Sequence, residues 1–136
     1  MAMQKLAIDF GSVYTNIYML GGGLVLSEPT VAAVSQDGKN EVKAVGDEAK
    51  KLIGKTAKNT KIIFPVFEGE IVNDKVAAGL LSAFLRKIDI KSGVSGCQAL
   101  FSVHRALQAI GQGRYQEFCL LPQRKTSNCP LHLALL

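Results

Sequence analysis

The residues best suited to chemistry form one short pattern near the N-terminus, Asp9-x-Gly11-Ser12-x-x-Thr15. A carboxylate at a strand end can hold Mg²⁺ through water, because magnesium keeps several waters and takes few protein ligands. Gly11 lets the backbone turn sharply, so the amides of Gly11, Ser12 and Val13 can point at a phosphate. The hydroxyls of Ser12 and Thr15 add donors. The pattern therefore suits a metal-bound phosphate, although by itself it favours an ordinary hairpin, in which Asp and Gly only form the turn.

The segments around this motif predict an antiparallel meander. Residues 5–10 read as a buried strand and residues 16–20 as a second run rich in β-formers, so the two are expected to form a hairpin. After a glycine turn at 21–23, residues 24–29 lead into a third predicted strand at 30–34. The motif then lies in the turn between the first two strands.

Further along the chain, strands and helices alternate. A turn at residues 37–38 precedes a returning strand at 42–45. Residues 47–53 begin with acids and end with bases, which suits a short helix. A longer helix, capped by Asn73 or Asp74, runs to about Ile88 with apolar residues at helical spacing. Extended segments are predicted at 62–66, 71–72 and 99–103, and the pattern weakens after that.

Composition indicates a globular protein of ordinary domain size. The chain has 136 residues, of which 48% are hydrophobic and 20% charged, which allows a core. It has no apolar run of about eighteen residues and no secretory signal, so we expect a cytoplasmic location.

Charge is distributed unevenly along the sequence. Residues 1–89 contain 11 Lys/Arg and 10 Asp/Glu, whereas residues 90–136 contain 5 Lys/Arg and one acid, Glu117. Because the excess positive charge belongs to the C-terminal part, it is a poor indication of nucleic-acid binding, and we expect no nucleic-acid partner.

Two other groups of residues have simple explanations. The spacing of Cys119, Cys129 and His132, even with Cys97 or His104 added, matches no common zinc pattern, so free thiols in a reducing compartment are expected. The lysines between residues 50 and 61 have no aromatic residues among them, and we interpret them as a solvated face. Lipid headgroups or an acidic partner are the alternatives.

Five segments occur in the order found in the actin, sugar-kinase and heat-shock-chaperone ATPase superfamily. They are residues 8–15, 24–32, 45–51, 65–74 and 99–103. The first resembles the superfamily's first phosphate loop, and the second and third are closer to MreB than to actin or FtsA. The chain thus resembles the N-terminal part of MreB over residues 1 to about 103.

This resemblance implies an α/β fold, α+β at this length: the N-terminal part of an actin-like (ribonuclease H-like) ATPase fold, with an antiparallel meander plus helices. It implies ATP or GTP with Mg²⁺, filaments formed with itself or a full-length actin-like homologue, and association with the inner face of the cell membrane. Asp9 would lie near the cation. Asn16 inherits no role, because actin has a lysine there and MreB an apolar residue. The residues facing the phosphates would be Gly11, Ser12, Val13, Tyr14 and Thr15.

The chain also departs from the family pattern. It has no second phosphate loop of the Asp-x-Gly-x-Gly-Thr type and no residue that positions the attacking water. Because hydrolysis needs these groups together, we expect little or no ATP hydrolysis by this chain alone. We hypothesise that residues 1–103 form a partial first lobe, and that residues 104–136 are a divergent tail, out-of-frame or disordered, on a truncated product.

Three functions follow from these observations. The first is a truncated MreB-like cytoskeletal protein for bacterial cell-shape determination. The second is a non-enzymatic module that binds or caps filaments of a full-length actin-like relative. The third is an unrelated small α+β binding domain with a basic tail. Nucleotide titration separates the first two from the third, and co-sedimentation with filaments separates the second from the first.

Overall fold

The computed structural model describes residues 4–55, 58–88, 97–101 and 131–133. Within these residues the chain forms ten strands and two helices. The strands are β1 (Gln4–Phe10), β2 (Tyr14–Met19), β3 (Gly23–Pro29), β4 (Ala32–Ser35), β5 (Val42–Val45), β6 (Thr60–Ile63), β7 (Val66–Phe67), β8 (Glu70–Ile71), β9 (Cys97–Phe101) and β10 (Leu131–Leu133), and the helices are α1 (Gly46–Lys51) and α2 (Asp74–Lys87).

The first three strands belong to a five-stranded mixed sheet with the order β10-β9-β1-β2-β3. β1, β2 and β3 form the antiparallel meander, and β9 lies parallel to both β1 and β10. Along β1 the side chains of Leu6, Ile8 and Phe10 are buried and those of Lys5, Ala7 and Asp9 are exposed. This alternation is that of a sheet with one face on a core.

A second sheet has the order β5-β4-β6, with both neighbours antiparallel to β4. Every residue of β4 is buried, which is typical of a central strand covered on both faces. The short pair β7 and β8 forms a separate two-stranded hairpin. In that hairpin Val66 and Ile71 face the core, while Phe67 and Glu70 are exposed.

Helix α2 closes the core. Asn73 is its N-cap, because the side-chain Oδ1 accepts a hydrogen bond from the backbone N–H of Val76 at 3.1 Å. Gly79 lets the helix approach β5 closely, since a Cβ at that position would lie 2.7 Å from Val42 Cγ2. The buried apolar face of the helix consists of Val76, Ala77, Leu80, Leu81 and Phe84.

Glu28 joins three elements at the end of β3. Its Oε1 accepts a hydrogen bond from the backbone N–H of Asp47 in α1 at 3.1 Å. Lys87, in the last turn of α2, donates to both carboxylate oxygens at 2.9 and 3.1 Å. The Lys87 ammonium also lies 5.8 Å from the ring centre of Phe84. The Glu28 side chain is 13% exposed, so this ion pair is better shielded from solvent than a typical surface pair.

The structure confirms the antiparallel meander, the turn at residues 37–38, both helices and the Asn73 cap. One expectation was wrong. The third strand of the meander is Gly23–Pro29, whereas the strand predicted at 30–34 falls in the second sheet as β4. The chain leaves the first sheet because Val31 N–H bonds back to Pro29 O at 3.0 Å, while Thr30 N–H donates to Val13 O at 2.9 Å.

The strand predicted at 99–103 begins two residues earlier, at Cys97, and its last two predicted residues lie outside the described part of the chain. Of the predicted tail at 104–136, the structure describes only Leu131–Leu133, which extend the first sheet as β10. The hypothesis about the origin of the tail stays a prediction.

Candidate functional site

The motif identified in the sequence forms the turn between β1 and β2. Gly11 and Tyr14 close this turn, because the Gly11 amide donates to the Tyr14 carbonyl oxygen at 3.1 Å. A Cβ at position 11 would lie 2.7 Å from that oxygen, so only glycine allows this approach. The Gly11 amide is therefore used within the hairpin. The prediction from sequence that this amide points at a phosphate was wrong.

Ser12 and Val13 form the tip of the turn. Within the described part of the chain, neither backbone amide donates to a protein acceptor. Val13 is 71% exposed, and its carbonyl oxygen accepts the bond from Thr30 that holds the tip against the segment between the two sheets. The Ser12 hydroxyl accepts a hydrogen bond from the Gly69 amide at 2.9 Å, so the tip also contacts the β7–β8 turn.

Thr15 occupies a different environment from the one that the phosphate-loop interpretation assigned to it. Its side chain is fully buried, and its hydroxyl lies 2.7 Å from the hydroxyl of Thr30. The alternation along β2 explains this position, since Thr15 shares the core face of the strand with Ile17. In this structure the Thr15 hydroxyl links β2 to the segment after β3 and does not line the open tip.

Asp9 and Tyr14 lie on the outer side of the hairpin. Asp9 is exposed near the end of β1, two residues before Gly11. Tyr14 is half-exposed at the start of β2. The structure thus brings Asp9, the tip amides and Tyr14 to one end of the sheet, whereas it places Thr15 inside.

Sequence reasoning assigned no role to Asn16, which lies directly opposite Asp9 in the β1–β2 register. Asn16 is in turn paired with Ser27 of β3, and the Ser27 hydroxyl donates to Asn16 Oδ1 at 2.7 Å. The available signal was an asparagine in the middle of a run of β-formers, where this residue type is depleted.

The donor set of this hairpin fits a phosphate with a divalent cation. Two tip amides are available as donors to an anion, and the Asp9 carboxylate is a suitable ligand for magnesium or its waters. A single carboxylate suffices for this, and among the described residues no three His, Cys, Asp or Glu side chains converge on a metal-sized site. The side chains of Cys97, Cys119, Cys129, His104 and His132 lie outside the described part.

The structure describes most of the lysine segment between residues 50 and 61. Lys50, Lys51, Lys55 and Lys58 are exposed, as expected for a solvated face. Neither helix in the described residues is long and apolar enough to cross a lipid bilayer.

Comparisons with protein families and with individual proteins point to the same family. The model of the MreB/Mbl protein family matches residues 3–119, which extends past Val103. The cell shape-determining protein Mbl of Bacillus cereus is 31% identical over 117 residues, covering 86% of this chain and 35% of that protein. The cell shape-determining protein MreB of Escherichia coli K12 is 37% identical over 95 residues, covering 68% of this chain and 27% of that protein.

Solved structures agree on the fold. The crystal structure of MreB5 of Spiroplasma citri bound to ADP matches 98% of this chain and 38% of its own, with a TM-score of 0.74 at 19% identity. The chain thus has an actin-like fold and spans about a third of the length of these proteins. Since the family model covers most of the sequence, the chain belongs to the MreB/Mbl family.

Proposed function

We propose that the β1–β2 hairpin binds the phosphates of a nucleotide, ATP or GTP or the corresponding diphosphate, together with Mg²⁺. The observation that carries this proposal is the pair of open amides at Ser12 and Val13 beside the exposed Asp9 carboxylate. The ADP bound to the structurally similar MreB5 supports the same ligand class. Asp9 holds the cation through water, and the backbone of the tip contacts a phosphate.

Nucleotide hydrolysis requires more than this hairpin. The sequence contains one phosphate loop, and its Thr15 hydroxyl is bonded to Thr30 inside the structure. Without a second clamp and an oriented water, binding does not lead to efficient phosphoryl transfer. We therefore propose a nucleotide-binding chain with little or no turnover of its own.

A direct binding experiment tests the nucleotide proposal. Titration calorimetry with ADP is carried out with and without Mg²⁺ on the full chain, on Asp9→Asn and on Glu48→Gln. Glu48 is an exposed acid on α1 and controls for the loss of one negative charge. We expect Mg²⁺ to strengthen binding to the wild type and to Glu48→Gln, and to have much less effect on Asp9→Asn. Equal Mg²⁺ dependence in all three would contradict the assignment of Asp9.

At the cellular level we propose a role in bacterial cell-shape determination, exerted in the cytoplasm at filaments on the inner face of the membrane. The support is membership of the MreB/Mbl family, whose relatives are named cell shape-determining proteins. The partner is another copy of this chain or a full-length actin-like homologue. Membership of this family excludes the alternative of an unrelated α+β binding domain.

The second candidate function is a module that binds or caps filaments of a full-length relative. It rests on the same membership of the MreB/Mbl family. Co-sedimentation with filaments of a full-length relative tests both binding along a filament and capping of its end. Incorporation along the filament gives pelleting in proportion to filament mass, whereas capping stops growth at low ratios of chain to relative. Absence from the pellet and no effect on growth would contradict both.

A further inference from the structure

The stretch from α1 to β6 carries a concentrated positive charge, and we call residues 50–61 the basic segment. No Asp or Glu occurs anywhere in residues 49–67. Among the described residues no carboxylate forms an ion pair with this segment, since the ion pair found there joins Lys87 to Glu28. A local excess of one charge attracts a partner of the opposite charge. The lysines of the basic segment are Lys50, Lys51, Lys55 and Lys58, which are exposed, and Lys61, which is half-buried.

The basic segment leads directly into β6, which is an edge strand of the second sheet. The Asn59 carbonyl oxygen accepts a hydrogen bond at 3.0 Å from the amide of the residue that follows β4, so the Asn59 backbone faces β4. Because hydrogen-bonded and non-hydrogen-bonded pairs alternate along an antiparallel ladder, Lys61 and Ile63 also face β4. The N–H and C=O groups of Thr60 and Ile62 therefore point away from the sheet, where no strand lies among the described residues.

Charge and chemistry argue against three other occupants of this edge. Pairing of β6 with β6 of a second copy would bring two basic segments together, and like charges on neighbouring strands destabilise a sheet. The residues outside the described part contain five Lys/Arg against two acids, Asp89 and Glu117, so their charge has the same sign as that of the basic segment. A lipid surface attracts lysines, but it offers no row of amides and carbonyls to an open strand edge.

We propose that the outer edge of β6 binds an extended acidic segment of another protein, which adds a fourth strand to the second sheet. The backbone of that segment bonds to Thr60 and Ile62, and its carboxylates lie beside Lys58 and Lys61. All cations of the basic segment are lysines, which act as point charges without the fixed fork geometry of arginine. Charge therefore selects an acidic partner, while the strand edge fixes its direction. This site is independent of the proposed nucleotide site.

Binding of synthetic peptides to the full chain, measured by fluorescence anisotropy, tests the proposal. The probe is a short labelled peptide of alternating glutamate and valine. One control peptide replaces every glutamate by lysine, and a second keeps the glutamates but carries N-methyl groups on the amides of every second residue, which blocks strand pairing. We expect the chain to bind the acidic peptide, less tightly as the salt concentration rises, and to bind both controls much more weakly.

Variants of the chain separate charge from strand pairing. Lys58→Gln combined with Lys61→Gln should weaken binding about three- to tenfold, the contribution of two exposed ion pairs. Lys5→Gln combined with Lys39→Gln removes the same charge from exposed positions elsewhere and should have little effect. Thr60→Pro removes an outward amide at the first position of β6, where proline is tolerated, so it should weaken binding without shifting the thermal unfolding midpoint.

Four outcomes would overturn the proposal. The first is that the acidic peptide does not bind, and the second is that the N-methylated peptide binds equally well, because charge alone would then account for binding. The third is an equal loss of affinity in the two double lysine variants. The fourth concerns vesicles that contain anionic phosphatidylglycerol. If they bind the chain through Lys58 and Lys61 while the acidic peptide does not, the basic segment is a lipid-binding surface.

Discussion

At the residue scale, the hairpin turn separates two kinds of polar residue that look alike in sequence. Ser12 and Thr15 both carry hydroxyls within the same motif. Ser12 lies at the tip and contacts Gly69, whereas Thr15 is buried against Thr30. The strand alternation that begins at Tyr14 decides this difference, and it gives the two residues different expected effects on substitution.

The buried hydroxyl pair predicts a non-additive double mutant. Thr15→Val leaves the Thr30 hydroxyl buried without its partner, which should lower the free energy of unfolding by about 1–3 kcal/mol. Thr15→Val combined with Thr30→Val removes both hydroxyls and should cost less than the sum of the single changes. Urea denaturation of the four proteins measures the coupling. Strict additivity would show that the 2.7 Å contact does not contribute.

A second prediction concerns pH and the turn between β4 and β5. The pKa of Asp37 lies below its ordinary value, chiefly because the Ser35 hydroxyl donates to it at 2.7 Å, and also because the Lys39 amide does so at 3.0 Å. A depressed pKa in the folded state contributes stability above the unfolded-state pKa, and this stability is lost as the pH falls through the folded-state value.

We therefore expect the wild type to be more stable than Asp37→Asn near neutral pH, with a difference that shrinks in strongly acidic solution. Thermal unfolding at a series of pH values measures it. Glu48→Gln, on exposed α1, serves as the control for a general loss of negative charge. A difference between wild type and Asp37→Asn that does not depend on pH would contradict the prediction.

The sequence was sufficient to locate the turn, because Gly11 and the flanking β-formers specify a hairpin at that point. It did not reveal which amides are available to a ligand, since that depends on the Gly11–Tyr14 pairing and on the register. Asn16 inherited no role from the resemblance to the family, and its structural surroundings were also hidden in the sequence. Its neighbours Asp9 and Ser27 are seven and eleven residues away in sequence and become adjacent only when the three strands pair.

At the scale of elements, the Glu28 junction determines how α1 and α2 meet β3. Gly46 makes this arrangement possible, because its φ of 62° is left-handed and a Cβ there would overlap Glu28 Oε1 and lie 3.0 Å from Phe84 Cε1. The Lys87 contact then ties the end of α2 to the same carboxylate. Sequence patterns placed both helices correctly but gave no sign of this junction, which joins residues far apart in the chain.

Comparison of two glycines predicts the importance of this junction. Gly54→Ala, with a φ of 78° and no atom within 4 Å of the added Cβ, should cost about 1 kcal/mol from backbone strain alone. Gly46→Ala has similar strain and in addition a steric overlap, so it should lower the free energy of unfolding by about 1–3 kcal/mol more than Gly54→Ala does. Denaturant unfolding of both variants measures the difference. Equal destabilisation would show that Glu28 moves away from the added Cβ at no cost in stability.

At the scale of the whole molecule, the first sheet depends on long-range pairing. β9 lies between β1 and β10, and Leu6 pairs with Ala99 across a parallel ladder. The meander could be predicted from sequence because its strands are sequential and joined by short glycine turns. The parallel partner could be anticipated only as an apolar strand, since a pattern within residues 97–101 does not specify which strand it joins.

The central position of β9 predicts a strong effect of proline. Ala99 is paired on both sides, with Leu6 and with Leu131. Ala99→Pro removes a ladder amide and should lower the free energy of unfolding by about 2 kcal/mol or more. Ala99→Ser keeps the amide and serves as the control, and circular dichroism during thermal unfolding compares them. A proline variant as stable as the serine variant would argue against the parallel pairing.

The pairing of Leu6 with Ala99 also has a consequence for synthesis on the ribosome. The two residues are 93 positions apart, so the outer edge of β1 has no parallel partner until most of the chain has been translated. At about 5–20 residues per second, that interval lasts roughly 5–20 seconds. During this time β1 of the nascent chain presents an open strand edge that can pair with another chain.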